Sequence, residues 1–319
     1  MNKKPKLNIS ICPVSLNLNS HLKKIIKKKY KFAKFNNRNV RLSGENLLKF
    51  LSDSCIAIIG VEKLNKDLIN QLPKLKAVVK YGVGYDNIDL QHLKERKILF
   101  KVTKGVNKIS VAELTLTLAL MAIKKINENF SFLKKGLWKR EIGNNLEDKT
   151  IGIIGLGNIG KESARIFKKL NCKVLTYDII NKKKYCIRNG LNFVSLNKLL
   201  KDSDIISFHV PLNSSTKYFI NHNFFKKIKK NKIIINTSRG MLCKLNELYK
   251  ILRKSKKIIY ATDVFEKEPE IPKKLIKLKN FISTPHIGGS TYESIISMGM
   301  ASIKNLDLVV KKINYVSSN

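Results

Sequence analysis

The stretch that decides the fold is TIGIIGLGNIGKESARIFKKLNCKVLTYD, residues 150–178. Its apolar run at 151–154 is short and bounded by turn-forming residues, which is typical of a strand buried on both faces. Gly155, Gly157 and Gly160 follow this run at once in a Gly-x-Gly-x-x-Gly pattern. In a dinucleotide-binding turn the first glycine permits a tight turn, the second lets the backbone approach a pyrophosphate, and the third lets the next helix pack closely.

A helix and a second strand complete this unit. The helix predicted over 158–170 directs its N-terminal amides and positive dipole end toward the phosphates. The strand at 173–177 ends in Asp178, 18 residues after Gly160, where an acid is expected to accept hydrogen bonds from the adenosine ribose. Because that charge repels a 2′-phosphate, we expect NAD rather than NADP. A structural glycine turn in another α/β fold is the alternative.

Composition indicates a globular protein with room for two domains. The chain has 319 residues, of which 43% are hydrophobic. Its five cysteines are far apart and never in Cys-x-x-Cys spacing, so we expect a reducing cytoplasm and no metal site. The N-terminus lacks the long apolar core of a secretory signal, and the longest apolar run, at about 114–123, is too short to span a bilayer. We therefore expect a soluble protein without a membrane partner.

The formal net charge of +40 is the most unusual feature of the composition. Taken alone, it indicates nucleic acid or an anionic membrane surface as a partner. The excess is mostly lysine, extends over most of the chain and accompanies many Asn and Ile residues, whose codons, like those of lysine, can be AT-rich. No segment combines a basic arm with stacking aromatic residues. Codon bias is the preferred explanation, and we expect no nucleic-acid partner.

Further apolar runs on both sides of residues 150–178 predict parallel strands. Before it they lie at 7–11, 56–59 and 78–81, with a helical stretch at 46–52. After it they lie at 204–210, 232–236, 257–262 and 281–283. Strands that alternate with helices indicate an α/β protein with parallel sheets.

The predicted fold is a Rossmann dinucleotide-binding domain inserted in a smaller flavodoxin-like α/β substrate domain. A capped apolar helix from Ser110, SVAELTLTLALMAIKK, has the length of a connector between domains. A second helix, at 290 to about 311, is expected to cross back to the first domain. The expected ranges are 1–104 and 285–319 for the substrate domain and 105–284 for the nucleotide domain.

Three later stretches place an arginine, an acid and a histidine after successive strands. Arg239 lies in INTSRG, acids lie in DVFEKEP at 263–269, and His286 lies in the glycine-rich TPHIGGS. Open α/β sheets bind ligands at such strand ends. These three groups suit the oxidation of a 2-hydroxy acid. The guanidinium can bind the substrate carboxylate, the imidazole can accept the hydroxyl proton, and the acid can orient the imidazole. A lone loop histidine is more often incidental, so the assignment of His286 depends on the other two.

The sequence resembles the D-isomer-specific 2-hydroxyacid dehydrogenases over almost its whole length, and most closely their phosphoglycerate dehydrogenase branch. Seven stretches carry the resemblance in family order: YGVGYDNIDL, GVNKISVAELTL, GIIGLGNIGK, FHVPLNSST, INTSRG, DVFEKEP and TPHIGGST. The resemblance implies an NAD-dependent enzyme that acts on a small 2-hydroxy or 2-keto acid. It also implies that Arg239, Glu268 and His286 are the catalytic residues.

The resemblance further implies which residues contact the ligands and how the protein assembles. The cofactor positions are Gly155, Gly157, Asn158, Ile159, Gly160, Asp178, Val210, Thr237, Asp263 and Gly288. The substrate positions are Lys80, Val83, Gly84, Asn107 and Arg239. A two-fold homodimer is expected, with the helix at 110–125 and the segment at 138–140 involved, and with Arg140 reaching the neighbour's active site.

The substrate is the finer question. The resemblance favours D-3-phosphoglycerate and 3-phosphohydroxypyruvate, and hence serine biosynthesis, in a short form without a C-terminal regulatory domain. However, residues 60–62 contain no arginine, and Lys80 stands where the phosphate-binding members have one. A hydroxypyruvate, glyoxylate or other 2-keto acid reductase is therefore the alternative. A non-catalytic NAD-sensing protein, like the C-terminal-binding-protein corepressors, is a rival of another class. Glu266 is expected to be solvated, and His92 to lie at the surface.

Overall fold

The computed structural model describes residues 7–38, 40–228 and 231–316. The chain forms two compact units, which we call the end unit, Met1–Asn107 with Gly289–Asn319, and the middle unit, Lys108–Gly288. The boundaries expected from sequence, after residues 104 and 284, differ from these by three and four residues. Residues 1–6 and 317–319 of the expected substrate domain lie outside the described residues.

The end unit is built on a five-stranded parallel sheet with the order β2-β1-β3-β4-β5. This is the flavodoxin-like order 2-1-3-4-5. All four residues of β3 and of β4 are buried, which is why β3 is a continuous apolar run and β4 is apolar up to its last residue, Lys80. The strands are β1 Ile9–Ile11, β2 Lys34–Phe35, β3 Ile56–Ile59, β4 Ala77–Lys80 and β5 Leu99–Lys101. The helices are α1 Val14–Leu18, α2 Ser20–Lys29, α3 Gly44–Leu51, α4 Lys66–Asn70 and α5 Leu90–Glu95.

The middle unit is built on a seven-stranded parallel sheet with the order β12-β11-β10-β9-β6-β7-β8. Counted from β6, this is the Rossmann order 3-2-1-4-5-6 with β12 added at one edge. The strands are β6 Thr150–Ile154, β7 Lys173–Tyr177, β8 Asn192–Phe193, β9 Ile205–Phe208, β10 Ile233–Asn236, β11 Ile259–Thr262 and β12 Phe281–Ser283. The helices are α6 Lys108–Ile123, α7 Ile126–Lys134, α8 Asn158–Lys169, α9 Lys183–Arg188, α10 Leu196–Asp202, α11 His222–Lys227 and α12 Leu245–Lys254.

Helices cover both faces of the seven-stranded sheet. On one face α6 and α8 bury residues such as Leu118 and Phe167 against Ile151. On the other, α10, α11 and α12 contribute a second cluster that includes Phe224 and Leu248. This two-sided cover explains the apolar strand sequences and confirms the predicted fold class.

The last helix, α13 Tyr292–Val316, belongs to the end unit. Its Leu306, Val309 and Ile313 are buried in a cluster with residues of β1 and α2. The Nδ2 atom of Asn305 donates to the Thr103 hydroxyl oxygen at 2.9 Å. The helix is longer at its C-terminal end than the 290–311 expected from sequence. Within the described part of the chain, no helix is long and apolar enough to cross a bilayer.

Two local expectations need correction. The apolar helix begins at Lys108 rather than Ser110, and it is part of the core of the middle unit rather than only a connector. His92 is buried, not on the surface: its Nε2 lies 2.7 Å from Asn70 Oδ1, and its Nδ1 lies 3.0 Å from Glu95 Oε2. Both partners are polar groups on α4 and α5, so the ring is a hydrogen-bonded link between these two helices.

Candidate active site

The three glycines of the turn after β6 have different surroundings. Gly155 has a φ of +94°, and a Cβ there would lie 2.6 Å from the His209 carbonyl oxygen. A Cβ on Gly160 would lie 1.9 Å from the Gly155 carbonyl oxygen, so only glycine lets α8 pack this closely. A Cβ on Gly157, the N-cap of α8, would meet nothing within 4 Å. Open space thus lies where a pyrophosphate is expected, and the residues fit a dinucleotide.

Asp178 directly follows β7. Its Oδ2 accepts a hydrogen bond from the Leu156 amide at 2.7 Å, and its Oδ1 accepts one from the Ile180 amide at 2.9 Å. The first bond ties the carboxylate to the glycine turn. Because a carboxylate offers about four lone-pair positions, two acceptor positions are left for ribose hydroxyls.

The other predicted cofactor residues lie at the same edge of the middle sheet. Asn158 and Ile159 form the first turn of α8, and Val210 follows β9 by two residues. Thr237 follows β10 directly, and its hydroxyl oxygen lies 3.1 Å from that of Thr115. Ligands of open parallel sheets bind outside the carboxyl ends of the strands. These positions are compatible with the predicted contacts.

His286 and Glu268 form a hydrogen-bonded pair. His286 Nδ1 donates to Glu268 Oε2 at 2.7 Å, and Glu268 Oε1 accepts from the Phe265 amide at 3.0 Å. The side chains are 41% and 27% exposed, so the pair is accessible to a ligand yet partly shielded from water. Since Nδ1 faces Glu268, Nε2 is the ring nitrogen that can exchange a proton with a substrate. His286 has a φ of +56°, a backbone conformation in which a histidine is uncommon.

The two partners shift each other's pKa in opposite directions. The hydrogen bond to Glu268 raises the pKa of His286, which outweighs the lowering effects of burial and of Arg239. Burial alone raises the pKa of the Glu268 carboxyl, but the hydrogen bond and charge of His286, the Phe265 amide and Arg239 together leave that pKa lowered. Both shifts favour the state in which His286 is protonated and Glu268 is ionised.

Arg239 lies in the turn that follows β10. Its guanidinium donates to the Ser238 carbonyl at 2.6 Å, and its charge acts on both Glu268 and His286. A Cβ on the next residue, Gly240, would lie 1.9 Å from the Phe265 carbonyl carbon. This close backbone approach joins the arginine turn to the segment that carries Glu268. The structure thus brings together the three residues that the sequence predicted as catalytic.

Asp263 holds the loop that carries His286. Asp263 is 1% exposed. Its Oδ1 accepts hydrogen bonds from the Thr284 hydroxyl at 2.6 Å and from the Ile287 amide at 2.7 Å. Its Oδ2 accepts from the Gly288 amide at 2.8 Å. Burial raises the pKa of the Asp263 carboxyl. This effect exceeds the lowering effect of the three hydrogen bonds, so the pKa is raised overall. Sequence reasoning gave Asp263 only a cofactor contact, because nothing local in DVFEKEP indicates bonds to a loop more than 20 residues away.

The structure separates the two glutamates of DVFEKEP. Glu266, which the sequence predicts to be solvated, is only partly exposed: it accepts hydrogen bonds from the Tyr218 hydroxyl at 2.8 Å and from the Leu245 amide at 3.2 Å. Glu268, two residues later, faces His286. Another histidine, His209, lies after β9, and burial lowers its pKa to about 3. His209 is therefore neutral at physiological pH and unsuited to exchange a proton there.

Lys80, a predicted substrate residue, is buried at the end of β4 with only 4% exposure. Its ammonium group donates to the Gly60 carbonyl and, at 3.3 Å, to Asn87 Oδ1. Glu62, which is 1% exposed, accepts from the Gly60 amide at 2.7 Å. Burial raises the pKa of Glu62, and the charge of Lys80 is among the effects that lower it. Lys80 thus ties together the loops that follow β3 and β4.

The other predicted substrate residues of the end unit differ from Lys80. Val83 and Gly84 are partly exposed in the turn after β4, in which Gly82 has a φ of +94°. The carboxamide oxygen of Asn107 is buried and has no hydrogen-bond partner among the described residues. A buried acceptor without a donor is costly, so this oxygen fits a contact with a ligand donor. In the described ranges, no group of three or more His, Cys, Asp or Glu residues could hold a metal ion.

Residues 116–288 match the family model described as D-isomer specific 2-hydroxyacid dehydrogenase, NAD binding domain. Over 292 residues the chain is 35% identical to a glyoxylate reductase of Thermococcus litoralis, a match that covers 89% of this chain and 88% of that protein. It is 36% identical over 274 residues to a D-3-phosphoglycerate dehydrogenase of Methanocaldococcus jannaschii. That match covers 85% of this chain but spans only about half, 52%, of the relative.

A solved structure agrees with this similarity. D-lactate dehydrogenase from Aquifex aeolicus, complexed with NAD and lactic acid, matches with a TM-score of 0.84 and 26% identity, covering 98% of each chain. The family model matches more than half of this chain, in the unit that carries the glycine turn, Asp178 and the His286–Glu268 pair. The chain therefore belongs to the D-isomer-specific 2-hydroxyacid dehydrogenase family of NAD-dependent oxidoreductases.

Proposed function

We propose that the protein interconverts a D-2-hydroxy acid and its 2-keto acid through Arg239, Glu268 and His286. The observation that carries this proposal is the 2.7 Å hydrogen bond between His286 and Glu268 beside Arg239, in the unit that matches the NAD-binding domain. Bound NAD supplies the hydride acceptor for oxidation or, in its reduced form, the hydride donor for reduction. The residues of this chain bind the acid, align it and handle its proton.

Each of the three residues has a distinct role in this proposal. Arg239 pairs its guanidinium with the substrate carboxylate, a geometry that allows two parallel hydrogen bonds. His286 accepts the hydroxyl proton at Nε2 during oxidation and donates it to the keto oxygen during reduction. Glu268 fixes the tautomer of His286 and stabilises the imidazolium. Since the pKa of His286 is raised, reduction is favoured at neutral pH and oxidation at alkaline pH.

For the substrate we favour a small unphosphorylated 2-keto acid, of the size of glyoxylate or hydroxypyruvate. Lys80, the basic residue expected to hold a phosphate, is buried and donates to Gly60 and Asn87 instead. Similarity to a glyoxylate reductase over 88% of that relative's length supports the same choice. Phosphohydroxypyruvate, the first expectation from sequence, is the second candidate, supported by the match to a D-3-phosphoglycerate dehydrogenase. Val83, Gly84 and Asn107 are the proposed substrate contacts of the end unit.

We also propose a homodimer formed by the middle units. None of the described side chains of α7 is buried, and Ile126, Phe130 and Leu133 on this helix are exposed. Trp138, a few residues later, is 89% exposed. Large exposed apolar groups of this kind are typical of an interface, and Arg140 would then approach the neighbour's active site. Sedimentation of the protein at micromolar concentration tests this: a dimer is expected, and a persistent monomer would contradict it.

A reducing cytoplasm is the proposed location, since all five cysteines are free thiols.

The decisive experiment measures NADH oxidation by the purified protein with a panel of keto acids. The panel is glyoxylate, hydroxypyruvate, pyruvate, 2-oxoglutarate and 3-phosphohydroxypyruvate. We expect kcat/KM for glyoxylate or hydroxypyruvate to equal or exceed that for the phosphorylated acid. A preference of about tenfold or more for 3-phosphohydroxypyruvate, or 1.4 kcal/mol of transition-state binding, would assign the second candidate. NADH binding without turnover of any acid would favour the non-catalytic alternative.

A further inference from the structure

A basic groove lies between α8 and α9 in the middle unit, apart from the residues assigned to NAD or substrate. It has a volume of about 310 Å³, which is within the range of small-molecule pockets. Its basic lining comes from one helix, with Lys161, Arg165, Lys168 and Lys169 all contributed by α8. Positions four, seven and eight residues apart share one face of a helix, so the four cations are aligned along the groove.

Specific contacts position three of these four cations. The Lys161 ammonium lies 4.2 Å from the centre of the Tyr185 ring. Arg165 donates from Nε to Glu162 Oε1 at 2.7 Å. The Lys168 ammonium donates to the Asn189 carbonyl at 2.7 Å. Cations held in place lose less side-chain entropy when an anion binds than freely moving lysines do.

The charge balance of the groove favours an anion. Glu162 is the acid that contacts this face; it pairs with Arg165 and, at 3.6 Å, with Lys108. The four lining cations therefore outnumber this carboxylate, and their mutual repulsion is relieved when a multivalent anion binds. Concavity and these fixed contacts distinguish the groove from a lysine-rich surface that merely reflects composition.

The remaining wall of the groove is partly apolar. Tyr185 and the buried Leu191 line it together with Asn189. An aromatic ring and an aliphatic side chain beside four cations suit a ligand that carries phosphate groups on a compact, partly apolar body. Inorganic polyphosphate shares the charge but lacks that body.

We propose that this groove is a second anion site that binds a multivalent phosphate group, free or carried by a nucleotide-sized metabolite. The proposal goes beyond the dehydrogenase function, because none of the lining residues belongs to the predicted cofactor or substrate positions. It assigns Lys161 and Lys168 as phosphate partners and Tyr185 as the wall that contacts the ligand body.

The test is calorimetric titration of the NADH-saturated enzyme with tripolyphosphate, and in parallel with ADP and with pyrophosphate. Saturating NADH occupies the nucleotide site, so the remaining phosphate binding reports on other sites. We expect one tripolyphosphate per chain, with affinity that falls as salt is added. Lys161→Gln/Lys168→Gln should weaken binding by about tenfold, because glutamine preserves the helix and removes two phosphate partners. Tighter binding of ADP than of pyrophosphate would identify a nucleotide-like source, and the reverse a free polyphosphate.

The matched control is Lys24→Gln/Lys28→Gln, which removes the same charge from exposed positions on α2 of the end unit. This variant should bind tripolyphosphate within about twofold of the unaltered protein. An equal loss in both double variants would show binding to a diffuse positive surface and overturn the proposal. Binding that disappears when NADH is saturating would place the phosphate in the nucleotide site and overturn it as well. Neither outcome depends on which keto acid is the substrate.

Discussion

The carboxyl edges of the two parallel sheets hold charged residues in opposite environments. In the middle unit, Glu268 and His286 bond to each other and are 27% and 41% exposed. In the end unit, Glu62 and Lys80 are 1% and 4% exposed and bond to groups of the loops after β3 and β4. Strand ends of such sheets are the usual place for ligands, but only accessible groups can meet one. The comparison indicates chemistry at the first edge and loop positioning at the second.

The largest expected effect is on turnover, and it comes from the carboxyl edge of the sheet in the middle unit. His286→Asn removes the proton carrier, and asparagine tolerates the φ of +56° at this position. Reduction of the best keto acid should slow by about 100-fold or more, the usual range for a lost acid-base group. NADH affinity, measured by fluorescence titration, should stay nearly unchanged. Turnover close to that of the unaltered protein would remove His286 from the mechanism.

The next largest effect is on the free energy of unfolding, and it comes from the carboxyl edge of the sheet in the end unit. Lys80→Met deletes a buried charged donor to Gly60 and Asn87, so the free energy of unfolding should fall by about 2 kcal/mol. The exposed Lys74→Met serves as control and should change it by less than about 0.5 kcal/mol. Urea denaturation measures both.

The same variant sharpens the substrate proposal. If Lys80 positions loops, the ratio of kcat/KM for 3-phosphohydroxypyruvate to that for glyoxylate should be preserved in Lys80→Met. A selective loss of the phosphorylated acid would show that the ammonium meets its phosphate, contrary to our assignment.

A smaller effect is expected from Glu268→Gln, which keeps the shape of the partner but removes its charge. The pKa of His286, raised in the unaltered protein chiefly by Glu268, should fall. Reduction requires protonated His286, so the alkaline limb of its pH–rate profile should move to lower pH, and turnover at neutral pH should drop by about tenfold. A loss of rate with the alkaline limb unmoved would indicate that Glu268 acts without controlling the protonation of His286.

The smallest effect is the pH dependence that the His286–Glu268 pair gives to the free energy of unfolding. The raised pKa of His286 makes its contribution complete below the ordinary histidine value of about 6.5, and that contribution is lost as pH rises through the raised pKa. The lowered pKa of Glu268 makes its contribution complete above about 4.3, and that contribution is lost as pH falls through the lowered pKa. The pair should therefore stabilise most between about pH 4.3 and 6.5.

The exposure of His286 limits this contribution to below about 1 kcal/mol. A double-mutant cycle of His286→Asn and Glu268→Gln, measured by urea denaturation at pH 6 and pH 9, isolates it. A coupling energy that is the same at both pH values would contradict the coupled ionisation.

Some strands were predictable to the residue because their signals are local. The observed bounds of β3, Ile56–Ile59, and β7, Lys173–Tyr177, are those predicted from an apolar run for β3 and from the strand that leads to Asp178 for β7. Gly155, Gly157 and Gly160 have the three environments that their spacing indicates. Helix starts are marked less sharply by local residues: α6 begins two residues before the expected Ser110.

The sequence by itself determined the family, the dinucleotide turn and the segments that supply Arg239, Glu268 and His286, because each depends on residues that are neighbours in the chain. Only the tertiary structure decided that Lys80 is buried, that Asp263 holds the His286 loop, and that Glu266 faces Tyr218. Each of these facts depends on bonds between loops at separate strand ends. Burial and hydrogen-bond partners are set by that long-range packing, which residue type and spacing do not specify.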